Sequence, residues 1–156
     1  MISRDEYDLL MAKALSETAF QEQIVQLART LGYLCYHTLD SRGSERGFYD
    51  LTLQKAPRLI LLELKRQTGK DAVLSREQVL WLDDAARTRD SGNPGLEVYG
   101  AVRPMDSGAV QVMLAEGVGA PGALHQWCLD PACARCTGER GQAKVTLRGV
   151  RRRWRR

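Results

Sequence analysis

Apolar residues recur along the chain with two periods, and the points where one gives way to the other mark out its elements. From Ser16 onward, Phe20, Ile24, Leu27, Ala28 and Leu31 fall on one stripe at about 100° per residue, which predicts an amphipathic helix over SETAFQEQIVQLARTLGY. Ser16 suits its N-cap, and Gly32 suits the residue that ends it. Residues 1–15 read as a short helix or a loose arm. The period then drops to two. YLCYHTL is rich in aromatic and β-favouring residues, and YDLTLQ sets Leu51 and Leu53 against Asp50, Thr52 and Gln54. LILLELK is apolar on both faces, so both sides of that strand should be covered. KAPR between the last two is a tight turn, which predicts an antiparallel hairpin.

Helical spacing returns in LSREQVLWLDDAARTR, where Ser75 and Gln78 form a capping-box pattern. DSGNPG breaks the chain, LEVYGAVRP reads as a fourth strand, and GAVQVMLAEG as a short closing helix. A strand–helix–strand passage within one sheet implies a right-handed parallel crossover. The sum is an α/β chain with an α-β-β-β-α-β order and a mixed sheet carrying helices. Its divisions are an arm at 1–15, a main domain at 16–117 and an appendage at 118–156, with PGALHQW read as the hinge into it.

Charges interrupt the apolar pattern at four places. Glu63 and Lys65 share one face of LILLELK, and Asp50 opens the partner strand. In an antiparallel hairpin those ends are neighbours, which places Asp50 beside Glu63 with Lys65 one pleat along. Glu17 falls in the middle of the apolar stripe of its helix. A helix-start glutamate ordinarily complements the dipole and faces water, but that does not explain its place on the buried stripe. Buried carboxylates without partners cost several kcal/mol, roughly, or shift their pKa. A divalent cation removes that cost, and Mg2+ favours such oxygen ligands. The bland alternative is a buried Asp–Lys or Glu–Lys ion pair kept for packing. A cation with an ammonium beside it suits phosphodiester hydrolysis.

Charge and cysteine placement add to this picture. The net charge is +4, but RGVRRRWRR holds six of the 23 basic residues, and without it 17 basic residues face 19 acidic ones. The body is near neutral. The tail, with Arg151, Arg152, Arg153 and Trp154, is either a solvated segment or a grip on phosphate backbones. The loop SRGSER, with Arg42, Ser44 and Arg46, is also basic and glycine-bearing. His125, Cys128, Cys133 and Cys136 follow an H-x2-C-x4-C-x2-C spacing, which suits a tetrahedral structural Zn2+ site; surface thiols or a disulfide are the alternatives. Cys35, in an apolar strand, reads as a buried small hydrophobe. No apolar run reaches the length of a membrane span, and MISRDEYDLL lacks a signal core, so a cytoplasmic protein is expected.

The ordered pieces SETAFQEQIVQLARTLGY, LCYHTLDSRGSERGFYDLTL, LILLELK, LSREQVLWL and VYGAVRP resemble the VRR-NUC domain (virus-type replication-repair nuclease) of the PD-(D/E)XK nuclease superfamily. The likeness runs from Ser16 to Pro104. It implies a restriction-endonuclease-like αβββαβ core and an endonuclease acting on DNA with Mg2+ or Mn2+. Asp50 and Glu63 match the metal-binding carboxylates and Lys65 the catalytic lysine. Leu64 matches the residue whose backbone carbonyl joins the metal, and Glu17 the helix glutamate that completes the shell. Gln78 matches a glutamine facing the active site, although its capping role accounts for it equally well. Tyr36, His37, Ser41, Arg42 and Ser44 lie in the segment that would approach DNA, and His37 reads equally as an ordinary hydrogen-bonded histidine. Tyr49 stands where the family has proline. Stand-alone members resemble homodimers that cut branched DNA such as four-way junctions, in phage or bacterial repair and recombination. The alternatives are a non-catalytic nucleic-acid-binding module that relies on the zinc turn and arginine tail, and a structural domain with buried ion pairs.

Overall fold

Three serines open three of the helices in the computed structural model, which describes residues 1–38 and 43–144. Ser3 accepts the Glu6 amide at 3.2 Å and starts α1 (Arg4–Ala14). Ser16 accepts that of Ala19 at 3.1 Å and starts α2 (Glu17–Thr30), while Ser75 accepts that of Gln78 at 3.1 Å and starts α3 (Arg76–Asp90). Each cap satisfies an amide that the helix itself leaves without a partner. Of residues 1–15, Arg4–Ala14 are thus helical, with Ser3 and Glu6 closing a full capping box. Ser41 and Arg42 of the basic loop, and Arg151, Arg152, Arg153 and Trp154 of the tail, lie outside the described residues.

The strands are β1 (Leu34–His37), β2 (Leu51–Lys55), β3 (Arg58–Leu64) and β4 (Leu96–Val102), in spatial order β1-β2-β3-β4. β1 and β3 run antiparallel to β2, and β4 runs parallel to β3 after the α3 crossover. The hairpin and the crossover are those expected from the KAPR turn and the intervening helix, and the result is a mixed α/β sheet. α4 (Ser107–Glu116) and α5 (Ala134–Gln142) follow.

Both faces of the sheet are covered, as the apolar run of β3 requires. On one face Ile60, Leu62 and Leu64 pack with Leu51 and Leu53 beneath α2 and α4. On the other, Val98 and Ala101 pack with Leu82, Ala86 and Trp127 beneath α3. At the far end from the charged residues of β3, Arg58 makes a bidentate pair with the buried Glu97 at 2.7 and 2.8 Å, and Tyr99 donates to the same carboxylate at 3.0 Å. Arg58 also donates to the carbonyl of Met113 at 2.9 Å, tying the end of α4 to the sheet.

Two readings need correction. PGALHQW is no hinge: Leu124 and Trp127 are buried, and Trp127 donates its amide to the carbonyl of Val98 at 2.7 Å along the edge of β4. An indole that fills a gap between sheet and helix cannot swing free without opening the core. Cys35 is half-buried, because β1 is an edge strand whose Leu34 and Tyr36 face solvent. Trp127→Ala should therefore lower the unfolding free energy by roughly 3–5 kcal/mol, as core Trp truncations do, measured by denaturant unfolding. A change within about 0.5 kcal/mol, the range of surface substitutions, would restore the hinge reading.

Candidate active site and metal centre

The β2–β3 register decides which charges meet. Leu51 pairs with Leu62, which brings Asp50 level with Glu63 just before β2 begins. Asp50 accepts the Leu64 amide at 2.7 Å. Glu63 is 1% exposed, and its Oε1 takes both Lys65 Nζ at 3.0 Å and the side-chain amide of Gln78. Its Oε2 is buried and, among the described residues, is the one buried side-chain nitrogen or oxygen with no hydrogen-bond partner. Gln78 serves both purposes left open above. Its Oε1 accepts the Ser75 amide at 2.8 Å in the capping box, while its Nε2 reaches Glu63. The side chain bridges the start of α3 to the carboxylate.

Two glycines make this packing possible. Gly47 has a φ of +84°, and a Cβ there would come within 2.5 Å of the Glu77 backbone carbon, so the 46–49 loop lies directly on the first turn of α3. Beyond it, Tyr49 donates to the Trp81 carbonyl at 2.6 Å, and its ring contacts those of Phe48 and Trp81. This aromatic anchor holds the chain just before Asp50. In β4, Leu62 faces Tyr99 but Leu64 faces Val102, so Gly100 and Ala101 together oppose Glu63. That is a β-bulge, with Ala101 at a φ of 53°. A Cβ on Gly100 would sit 2.6 Å from the Trp127 ring. A glycine inside YGAV was the available sequence signal for it.

Three carboxylates around one ammonium leave the cluster with excess negative charge. Burial, and then the charge of Asp50, push Glu63 well above the usual carboxylate range. Burial raises Asp50 against the pull of the Leu64 amide and Lys65, and burial with Asp50 raises Glu17. Burial opposes the Lys65 ammonium, but Glu63, Asp50 and Glu17 outweigh it, so its pKa is raised and it stays charged. Two open cavities flank the cluster and share Glu17. One, of about 590 Å³, is lined by Lys65, Arg66, Lys70, Gln78 and Lys144; the other, of about 840 Å³, by Asp50, Gln21, Arg29 and His37. Asp50, Glu63, Lys65 and Gln78 thus meet, and Glu17 lines the two cavities beside them, but Glu17, Asp50 and Glu63 do not form a set whose ligand atoms lie within 4.8 Å of one another; His37 lines the cavity on the Asp50 side. Ser44 and Arg46 line neither cavity, and Arg46 is exposed, with its carbonyl bonded to Trp81. Lys70 and Lys144 were missed; nothing in TGKDA or QAKVT distinguishes them from ordinary surface lysines.

The second cluster lies beside Trp127, whose indole donates to Asp83 of α3 at 2.8 Å. The ligand atoms of His125, Cys128, Cys133 and Cys136 lie within 4.8 Å of one another, with His125 Nε2 3.2 Å from Cys133 Sγ. These four residues can hold a metal ion such as Zn2+, whose tetrahedral thiolate sites have Zn–S bonds of about 2.3 Å. The Cys136 amide draws the Cys133 thiol below its ordinary value, while burial pushes Cys136 up to about 12. A dication favours the thiolate at both positions.

The fold is thus a mixed α/β sheet with an acidic groove and a His/Cys centre. Comparison with protein-family models, with curated proteins and with solved structures gives no match. Among the described residues no helix is long and apolar enough to cross a membrane.

Carboxyls whose pKa rises on folding favour the folded state when protonated; that contribution is present at low pH and lost as pH climbs through the raised values. In divalent-free buffer at pH 8, Glu63→Gln should therefore raise the melting temperature by roughly 2–4 °C, the yield of about 1 kcal/mol in a domain of this size. The gain should shrink as the pH falls, because wild-type Glu63, raised by burial and by Asp50, then takes up its proton. A lower melting temperature at pH 8 would mean that Lys65 and Gln78 already compensate the charge.

Proposed function

We propose that this chain is a divalent-metal-dependent nuclease of the VRR-NUC kind, hydrolysing phosphodiester bonds in DNA. The observation that carries the reading is the unpartnered Glu63 Oε2, buried beside a second carboxylate. A buried carboxylate oxygen without a hydrogen-bond partner, next to a second carboxyl close enough to share its proton, is a ligand position for a hard cation that would displace that proton. Glu17, Asp50 and Glu63 would hold the ion. The Leu64 carbonyl could join them, since the N–H and C=O of a strand residue leave on the same edge and its N–H faces Asp50. When bound, Mg2+ or Mn2+ supplies polarisation of a phosphodiester oxygen and a lower pKa for a bound water.

The protein's own groups do the rest. Gln78 and Lys65 fix the Glu63 side chain through Oε1, which leaves Oε2 free to coordinate. Lys65, held charged by its neighbours, offsets negative charge that develops on the phosphate and orients the attacking water. The open groove on both sides of Glu17 accommodates a strand that continues past the cleaved bond, as an endonuclease needs. Branched DNA as the preferred substrate, and a homodimer as the working form, belong to the same proposal through the resemblance alone. For the His/Cys centre the proposed ion is structural Zn2+. A second reading, a nucleic-acid-binding module without catalysis, draws on that centre and on the arginine tail.

Nicking of supercoiled plasmid with Mg2+ or Mn2+ separates the two. Asp50→Ala and Lys65→Ala should each cut at least about 100-fold more slowly than wild type. Equal cutting by either variant would remove the catalytic assignment, and a four-way junction cut no faster than linear duplex would remove the branched-DNA preference. Purified protein should also carry about one equivalent of zinc, and less than roughly half an equivalent would discard the structural ion.

A further inference from the structure

The His/Cys centre and the acidic groove are joined through α5. This helix is nine residues long, reads ARCTGERGQ with two interior glycines, and buries only Cys136. Helices this short are marginal on their own, and glycines weaken them further. Apolar packing therefore does not hold α5 in place. Its fastenings are polar. Glu139 makes a bidentate pair with Arg103 at 2.6 and 3.0 Å, and Arg103 also donates to the Ala72 carbonyl at 2.7 Å. Arg140 pairs with Asp83 of α3 at 2.8 Å, stacks 4.7 Å from the Trp127 ring and donates to the Cys128 carbonyl. Arg135 adds an ion pair to Asp106 at 3.3 Å, and the four-ligand cluster ties Cys133 and Cys136 at the start of α5 to His125 and Cys128 on either side of the buried Trp127.

The far end of α5 reaches the groove. Lys144 donates its amide to the Leu74 carbonyl at 2.9 Å and accepts the Arg76 amide at 3.0 Å, in a parallel bridge to Ser75. Ser75 and Gln78 form the capping box, and Gln78 holds Glu63. The Lys144 ammonium bonds the Lys70 carbonyl at 2.7 Å and lines the same cavity as Lys65, Arg66 and Lys70. That wall carries four cations against Glu17 and Asp71.

We propose that a metal ion at His125, Cys128, Cys133 and Cys136 latches α5 so that Lys144 completes a phosphate-binding wall beside the acidic cluster and steadies the Leu74–Gln78 turn. The wall takes a nucleic-acid phosphate next to the one at Glu63. This deepens the nuclease reading and rests on it for the ligand, whereas the latch itself does not. Lys144 is a binding residue, and the metal centre positions it.

The test compares the zinc-loaded full chain with the same protein stripped by a zinc-selective chelator and with Cys133→Ser, all without Mg2+ or nucleic acid. Hydrogen exchange should speed roughly tenfold or more in peptides covering 74–78 and 142–144 on metal loss, while peptides covering 51–64 keep their protection. Unchanged exchange at 74–78 overturns the latch, and so does loss of protection throughout the chain, which would make the ion a general folding requirement. With Ca2+ present and a fluorescein-labelled DNA duplex as probe, zinc-loaded Lys144→Ala should bind roughly three- to tenfold more weakly, with a salt slope smaller by about one. An unchanged slope overturns the phosphate wall. If exchange responds as expected but wild type neither binds nor nicks DNA, the nuclease reading fails, the wall falls with it and the latch stands.

Discussion

Two buried glutamates in adjacent strands, Glu97 and Glu63, show the constraint on which this structure turns. A carboxylate removed from water must find donors or a cation. Glu97 finds them: Arg58 grips it with two hydrogen bonds and Tyr99 adds another. Glu63 is as deeply buried but satisfies only one oxygen. One end of the sheet is therefore closed electrostatically, and at the other a carboxylate oxygen stays without a hydrogen-bond partner. The closed end supports stability. The other end crowds the like charges of Asp50 and Glu63 together.

The elements around Glu63 keep that oxygen available. The hairpin register brings Asp50 level with it, and the bulge in β4 relieves the regular pairing at the same position. The first turn of α3 arrives with Gln78 already committed to its cap, so one side chain serves helix initiation and carboxylate orientation together. A substitution at Gln78 would disturb both. The close lie of Gly47 on Glu77 sets the distance between loop and helix, and the aromatic anchor at Tyr49 does for the chain what a proline would do by restricting φ.

Much of this was legible in the sequence because it rests on local rules. The period of Phe20, Ile24 and Ala28, the Ser16 and Ser75 caps and the KAPR turn each follow from spacing over a few residues. The meeting of Asp50 with Glu63 follows from strand pairing once the turn is fixed. Long-range packing was not legible. His125 to Cys136 announced a metal-binding spacing, yet nothing local shows that Trp127 between the first two ligands enters the core. Nor could spacing bring Lys144 to Leu74, since an isolated bridge has no periodic signature. Val25, off the apolar stripe of α2, is buried as well, which spacing within the helix does not announce.

The Gly100–Ala101 bulge has a consequence for the parity of β4. Side chains along a strand alternate, but here Gly100 and Ala101 both turn toward the α3 side, and the count resumes one step out of phase. Val102 then joins Tyr99 on the α2 side, and Arg103 emerges toward Ala72 and Glu139. In an uninterrupted strand Arg103 would face the opposite layer, away from Glu139. The extra residue acts as a frameshift in three dimensions. Loss of a single position in YGAV would leave the strand able to pair with β3 while pointing its last arginine into the wrong half of the molecule.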